Sequence, residues 1–187
     1  AGSVSSTFGV EGVAEHTFPL KTVTDALALR THLLSRFERA ATATAGEVDL
    51  GIAVIGGGPT GVEMAGGLRE LIDHVLRKDY PELDLSQVPI TLIESADRVL
   101  GPFDPSLSEH ASAALRARRI TVQLGVGVAS VEPGAVLLAD GRRVPAGTIV
   151  WATGVAGNPV GSLLGVQLGR GNRIPVEADL SLAGHPN

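Results

Sequence analysis

Three glycines, Gly56, Gly58 and Gly61, stand in the spacing G-x-G-x-x-G within the stretch DLGIAVIGGGPTGVEMAGGLREL, residues 49–71. The apolar run before them predicts a buried parallel strand, and the apolar residues at helical spacing after them predict a helix that begins near Pro59. Between a strand and a helix, the first glycine makes a tight turn, the second lets the backbone approach a pyrophosphate, and the third lets the helix pack close to the sheet. The free N–H groups and partial positive charge of the helix N-terminus favour phosphate. The pattern therefore predicts a nucleotide-binding turn; the alternative is a turn that only joins a strand to a helix.

A carboxylate at the end of the next predicted strand fits the same kind of site. Glu94 ends the run ITLIE, residues 90–94, where an acidic side chain can accept the hydroxyls of an adenosine ribose. It comes later than the usual spacing because the stretch RKDYPELDLSQV lengthens the connection. The carboxylate would repel a 2′-phosphate, so the sequence favours NAD(H) over NADP(H), and Arg98 is the nearby residue that could soften this preference. The alternative for Glu94 is an ordinary carboxylate at a strand end.

Two further positions admit a functional and a structural interpretation. Glu63 lies two residues after Gly61, and we expect it in the first helical turn, where it either complements the helix dipole or faces the crevice for a nicotinamide. The residues WATG, 151–154, end the last predicted parallel strand, at the edge where such sheets bind ligands. Gly154 allows another group close to the backbone, or it is simply the point where the strand turns. We expect Trp151 to pack in the core.

Composition and the other reactive residues exclude several classes of function. The five histidines show no metal-ligand spacing, no Ser-His-Asp arrangement is indicated, and no catalytic residue is assigned; the histidines are His16, His32, His74, His110 and His185. With no cysteine, this chain has no disulfide or thiolate metal site. The formal net charge is −5 and aromatic residues make up 3%, which argues against nucleic-acid binding. The sequence has no apolar run long enough to span a membrane and no signal peptide, so we predict a cytoplasmic location.

The order of the predicted elements indicates an α/β fold. We expect loop and linker over residues 1–21, a helix over about 22–40 with a capping box of Thr22 and Asp25, and a helix that ends before Pro81. We also expect a helix after Asp104, a strand at ITVQL, a small antiparallel meander with a hairpin turn at ADGR, and a final buried strand at TIVWATG. The core face of the helix that starts near Pro59 is predicted to carry Val62, Ala65, Leu68, Ile72 and Val75. Together these elements predict a Rossmann-like three-layer domain, with a parallel sheet, helices, and the meander as a crossover. The tail after residue 157 closes no obvious element.

Several stretches resemble consecutive blocks of a type II NADH dehydrogenase, and together they cover nearly the whole chain. They are FGVEGVAEHTFPLKTVTDALALRTHLL, VIGGGPTGVEMAGGL, LIESADRVLGPFDPSLSEHASAAL, IVWATGVAGNPV and VEADLSLAGHPN. This family consists of flavoproteins with two dinucleotide-binding domains, in which the NAD(H) domain is inserted between two halves of an FAD domain. The resemblance implies a linker and helix over residues 1–46, an NAD(H)-binding domain over 47–157, and a return linker over 158–187.

The resemblance also implies a function for the longer protein. It implies transfer of hydride from NADH to FAD and then of electrons to a quinone, at the inner face of a membrane to which the whole protein would bind peripherally. The FAD segments are expected to lie outside this chain, which would make it a fragment that is inactive alone. The implied NAD(H) contacts are Gly56, Gly57, Gly58, Pro59, Thr60 and Gly61 for the pyrophosphate, Glu94 for the ribose, and Glu63, Ala152, Thr153 and Gly154 beside the nicotinamide. A domain from a ferredoxin, rubredoxin or nitrite-type reductase, or a non-enzymatic NAD(H)-sensing module, remains open at this stage.

Overall fold

The computed structural model describes residues 2–44, 46–182 and 184, which fall into two compact units. The larger unit comprises residues 7–153, and the smaller comprises the described residues of 1–6 and 154–187. His185, one of the histidines considered above, lies outside the described residues.

The regular elements follow one another in the order expected of an α/β domain. The first half contains β1 (Ser3–Ser5), α1 (Val13–His16), β2 (Phe18–Pro19), α2 (Val23–Thr42), β3 (Ile52–Ile55), α3 (Pro59–Leu71), a π-helical turn (Ile72–Leu76), α4 (Arg77–Asp79) and a 3-10 turn (Leu85–Gln87). The second half contains β4 (Ile90–Ile93), α5 (Pro105–Ala117), β5 (Ile120–Gln123), β6 (Val128–Glu132), β7 (Ala135–Leu138), β8 (Arg143–Pro145), β9 (Thr148–Trp151), β10 (Val155–Gly157) and two 3-10 turns (Pro159–Leu164 and Arg170–Asn172).

The larger unit is built on a five-stranded parallel sheet in the order β2-β9-β3-β4-β5. Strand β3 lies at its centre, with Ile52 level with Ile90 on one side and with Thr148 on the other. The carboxyl ends of all these strands lie at one edge, so the residues that follow β3, β4 and β9 are brought together there.

Each face of the sheet is covered by a different layer. On one face, alternate strand residues such as Val54 and Leu92 pack with the buried sides of α2, α3 and α5. On the other, Ile55, Ile93 and Trp151 pack with the meander formed by β6, β7 and β8. This arrangement confirms the predicted three-layer architecture, with the meander between β5 and β9, and the predicted packing role of Trp151.

Local sequence signals fix the ends of two helices as predicted. Thr22 accepts a hydrogen bond from the N–H of Asp25, whose carboxylate accepts one from the N–H of Thr22, which completes the capping box of α2. Asp104 accepts a hydrogen bond from the N–H of Ser106, and Pro105 takes the first position of α5.

The prediction of which residues of the α3 segment face the core was wrong at the C-terminal end of that segment. Val75 is 47% exposed, whereas Leu76 is 1% exposed. Leu76 follows the buried Ile72 by four residues and so lies on the same face of the helix, whereas Val75 lies further round it; a π-helical turn spans Ile72–Leu76.

A buried arginine holds the long connection before β4. Arg69 is 1% exposed and donates to the carbonyls of Leu85 and Val88 and to the carboxylate of Asp73. The connection is thereby fixed to α3, and β4 can end at the same edge as β3.

The first 21 residues and residues 155–157 contain short elements that the sequence did not predict. Residues 18 and 19 form the edge strand β2 of the parallel sheet, and residues 13–16 form α1. In the smaller unit, β1 pairs antiparallel with β10, with Ser3 level with Gly157. These elements are two to four residues long, too short to show a hydrophobic period.

Candidate functional site

Gly56 and Gly61 form the close contact of a tight strand–turn–helix connection. Gly56 has φ +109°, a backbone conformation that favours glycine, and its N–H donates to the carbonyl of Ile93 at 2.8 Å. A Cβ at Gly61 would overlap the carbonyl oxygen of Gly56. The start of α3 therefore rests directly on the end of β3, as the spacing of these glycines predicted.

Gly57 and Glu94 join the ends of two neighbouring strands. The N–H of Gly57 donates to Oε2 of Glu94 at 2.5 Å, while Oε1 of Glu94 accepts from the N–H of Ala96 at 2.8 Å. A Cβ at Gly57 would lie 2.9 Å from Cβ and Cγ of Glu94, so a side chain is sterically excluded at Gly57. Glu94 is half-buried, and these two hydrogen bonds hold its carboxylate in one orientation beside the turn.

Gly58 opens the N-terminus of α3 towards a ligand. It is the N-cap residue, no side chain caps this helix, and Pro59 takes its first position. No atom lies within 4 Å of a Cβ built on Gly58, in contrast to Gly56, Gly57 and Gly61. The first N–H groups of a helix have no partner within it, so this uncapped end with open space in front of it is suited to an anion. Thr60 lies in its first turn.

A second support of the turn, which the sequence did not indicate, is the loop of residues 95–101, which we call the support loop. The N–H of Leu100 donates to the carbonyl of Gly57 at 2.7 Å. Leu100 has φ +52°, a left-handed conformation that is uncommon for leucine. Arg98 donates to the carbonyl of Gly101 at 2.7 Å, within the same loop. Nothing in the residue types of the loop signals the bond to Gly57, because it is made by the backbone.

The residues after β9 lie beside the turn as far as Thr153. The N–H of Ala152 donates to the carbonyl of Ile55 at 2.8 Å, and a Cβ at Gly56 would lie 2.6 Å from the oxygen of Ala152. The hydroxyl oxygen of Thr153 is buried and has no hydrogen-bond partner in the described part of the chain. Gly154 has φ +135° and belongs to the smaller unit, where its carbonyl accepts a hydrogen bond from the N–H of Ser6 at 3.3 Å.

Glu63 lies outside the hydrogen-bonded turn. The first turn of α3 contains no acidic residue, so the expectation that Glu63 belongs to that turn was wrong, because the helix begins at Pro59. The dipole of a helix acts mainly within its first turn, which weakens the purely structural explanation. Glu63 is exposed and lines, with Thr60 and Met64, an apolar groove of about 850 Å³ between α2 and α3.

Two titratable groups of α2 have pKa values displaced by their surroundings. Burial lowers the pKa of His32, whose Nε2 lies 3.1 Å from Oγ1 of Thr148 and 3.3 Å from the carbonyl oxygen of Gly147. The carbonyl of Gly147 opposes this shift and the charge of Arg36 adds to it. Burial raises the pKa of Asp25, but hydrogen bonds from Lys21 and Thr22 outweigh it and lower the pKa overall. The ring of His32 thus links α2 to the start of β9.

The described parts of the chain contain neither a cluster of metal-ligating side chains nor a helix that could span a membrane. Within residues 2–44, 46–182 and 184, no group of three or more histidine, aspartate or glutamate side chains could hold a metal ion. None of the helices that the structure describes is long and apolar enough to cross a membrane.

The family and the relatives that match this chain all carry the names of oxidoreductases. The family model described as pyridine nucleotide-disulphide oxidoreductase matches residues 1–187. The type II NADH:quinone oxidoreductase Ndh of Mycobacterium tuberculosis is 35% identical over 198 residues, which cover 100% of this chain and 43% of that protein. The type II NADH:quinone oxidoreductase of Staphylococcus aureus is 37% identical over 192 residues, which cover 100% of this chain and 46% of that protein. The chain therefore spans less than half the length of these relatives.

A solved structure shows the same fold. NDH2 from Plasmodium falciparum, in complex with NADH, superposes with a TM-score of 0.77 over 84% of this chain and 34% of that chain, at 24% sequence identity. At this identity the likeness concerns the fold, and it agrees with the Rossmann-like architecture described above.

Proposed function

The chain belongs to the pyridine nucleotide-disulphide oxidoreductase family, and from this membership we propose that it binds NADH at the turn between β3 and α3. The observation that carries the proposal is the uncapped start of α3 at Gly58, next to the Glu94 carboxylate that Gly57 holds in place. This arrangement fits a dinucleotide, because the N–H groups favour a pyrophosphate, while the carboxylate, which already accepts from Gly57, Ser95 and Ala96, keeps a lone pair on Oε2 for the ribose.

The residues of the proposed site fall into groups with different roles. Gly56 and Gly61 bring helix and sheet together, while Gly57, Gly58, Pro59 and Thr60 surround the pyrophosphate. Glu94 binds the adenosine ribose and disfavours a 2′-phosphate, while Arg98, which donates to the carbonyl of Gly101, keeps the charge that could soften this preference. The NAD(H)-binding part is proposed to comprise residues 47–157.

The nicotinamide end of the proposed site is formed by residues after β9. Ala152, Thr153 and Gly154 would border the nicotinamide, with Glu63 on the side of the groove between α2 and α3. The buried hydroxyl of Thr153, which has no partner among the described residues, supports a polar contact there. When bound, NADH supplies a hydride; these residues orient the ring that carries it.

We propose further that, in a protein as long as the relatives, this hydride passes to FAD and the electrons then pass to a quinone at a membrane surface. The support is the similarity, at 35% and 37% identity, to proteins described as type II NADH:quinone oxidoreductases. No residue of this chain is proposed to bind FAD or quinone.

The first prediction tests Glu94. Calorimetric titration of the chain should show NADH binding more tightly than NADPH, and Glu94→Gln should weaken NADH binding about tenfold and narrow the gap to NADPH, because charge-assisted hydrogen bonds are lost. Glu132→Gln, which removes an exposed carboxylate of the meander 3.7 Å from Arg143, is the matched control and should bind as the unmodified chain does. An unchanged ratio of the two affinities in Glu94→Gln would remove Glu94 from the site.

A further inference from the structure

We propose that Leu100 is a positioning residue of the dinucleotide site, and that its backbone N–H fixes the peptide through which Gly58 meets the pyrophosphate. The inference rests on the proposed function and adds to it a residue outside the glycine pattern. The contact that carries it is the 2.7 Å hydrogen bond from the N–H of Leu100 to the carbonyl of Gly57.

That bond controls the direction of a neighbouring donor. The carbonyl of Gly57 and the N–H of Gly58 belong to one planar trans peptide and point in opposite directions. Holding the carbonyl at Leu100 therefore turns the Gly58 N–H away from the support loop. Gly57 is also held at its N–H by Glu94 at 2.5 Å, so both of its backbone groups are anchored from outside the turn.

Glycine needs such anchors more than any other residue. A run of three glycines, Gly56 to Gly58, has wide conformational freedom, and ordering it on ligand binding would cost conformational entropy. The hydrogen bonds that Glu94 and Leu100 make to the backbone of Gly57 exist before the ligand binds, and they remove part of that entropic cost. The support loop thus prepares the turn for binding.

The strained conformation of Leu100 is held by its surroundings. At φ +52° the backbone of Leu100 is in the left-handed region, where the Cβ crowds the following carbonyl oxygen. The preceding residue, Val99, is fully buried and its carbonyl accepts the hydroxyl of Ser108, while the carbonyl of Leu100 accepts the N–H of Phe103 at 2.8 Å. Strain that the fold maintains beside a ligand site is the kind of outlier from which function can be inferred.

The experiment removes the single N–H. Leucic acid, the hydroxy acid analogue of leucine, is incorporated at Leu100, which replaces the amide by an ester and deletes the donor while keeping the side chain. The matched control is the same replacement at Leu107, whose N–H donates to the carbonyl of Asp104 at 3.0 Å in the first turn of α5. The readouts are NADH affinity by calorimetry and the hydrogen-exchange rate of the Gly57 amide by NMR in the ligand-free protein.

The ester at Leu100 should weaken NADH binding about tenfold and accelerate exchange of the Gly57 amide by a similar factor, whereas the ester at Leu107 should leave both within about twofold. Ser108→Ala controls for the weaker ester carbonyl at Val99 and should also leave both within about twofold. Leu100→Gly keeps the N–H and accepts φ > 0 but removes a side chain that packs against the core, so it should retain clearly more NADH affinity than the ester does.

Three outcomes would overturn the proposal. If the Leu100 and Leu107 esters bind NADH equally well, Leu100 does not position the site, although the proposed function stands. If Leu100→Gly loses as much affinity as the ester, side-chain packing and not the N–H is responsible. If the unmodified chain binds no NADH, the proposed function and this inference fail together.

Discussion

Single residues decide the shape of the turn by steric exclusion. Gly61 and Gly67 both lie in α3, yet only Gly61 faces a backbone atom that a Cβ would strike, the carbonyl oxygen of Gly56. Around Gly67 no atom lies within 4 Å of a built Cβ. The two positions therefore separate the effect of a close helix–sheet contact from the intrinsic effect of glycine in a helix.

We predict opposite effects of alanine at these two positions. Gly61→Ala should lower the free energy of unfolding by more than about 3 kcal/mol, because backbone must move on both sides of the contact. Gly67→Ala should raise it by about 0.5–1 kcal/mol, because alanine favours the helix. Urea denaturation of both variants measures the two changes; equal stabilities would show that α3 does not rest on Gly56.

A histidine makes stability depend on pH. Because the pKa of His32 is lowered in the folded chain, the unfolded chain binds more protons near pH 6 than the folded chain does. The contribution of His32 to stability is complete above its ordinary pKa of about 6.5 and is lost as the pH falls below that value.

We predict that the His32→Gln variant loses less stability on acidification than the unmodified chain loses. Denaturation measured at about pH 7.5 and about pH 5, on either side of the ordinary histidine pKa of about 6.5, tests this. His110→Gln, which replaces a histidine at an exposed position of α5, is the control for the substitution itself. A slope unchanged by His32→Gln would mean that other groups cause the pH dependence.

At the scale of elements, Leu76 and not its neighbour Val75 continues the buried face of α3 through the π-helical turn. Leu76→Ala should destabilise the fold by about 2–5 kcal/mol, because it removes a fully buried side chain. Val75→Ala should change stability by no more than about 0.5 kcal/mol, since its side chain is largely in solvent. Thermal or urea unfolding distinguishes the two, and the reverse order would show that Val75, and not Leu76, packs in the core.

The long elements were predictable because their signals are local. The capping box of α2, the proline and aspartate that start α5, and the apolar runs of β3, β4 and β9 each appear within a few residues. The glycines of the turn were predictable because the pattern expresses a steric need. The π-helical turn was not, because one extra residue leaves no periodic mark, and Arg69 looked like a surface residue until its carbonyl partners were visible. The support loop acts through a backbone N–H, which any residue except proline possesses.

For the whole molecule, ligand binding and folding should be linked. NADH at about a hundred times its dissociation constant would stabilise the folded chain by about 2.7 kcal/mol. For a chain of this size, that corresponds to a rise in Tm of roughly 5–10 °C. Differential scanning fluorimetry with NADH, and with Glu94→Gln at the same NADH concentration, measures this; a Tm that NADH does not change would contradict binding to the folded state.

The order of strands in the sheet also determines when the sheet can form during synthesis of the chain. The central strand β3 is paired on one side with β9, which lies about a hundred residues further along, and β2 is paired with β9 as well. While the ribosome is still synthesising the meander, one edge of β3 and the whole of β2 lack their hydrogen-bonding partner. An apolar edge of the growing chain is exposed in that interval, the condition in which chaperones act and nascent chains aggregate. Emergence of residues 148–151 from the exit tunnel is then the event that allows the sheet to close.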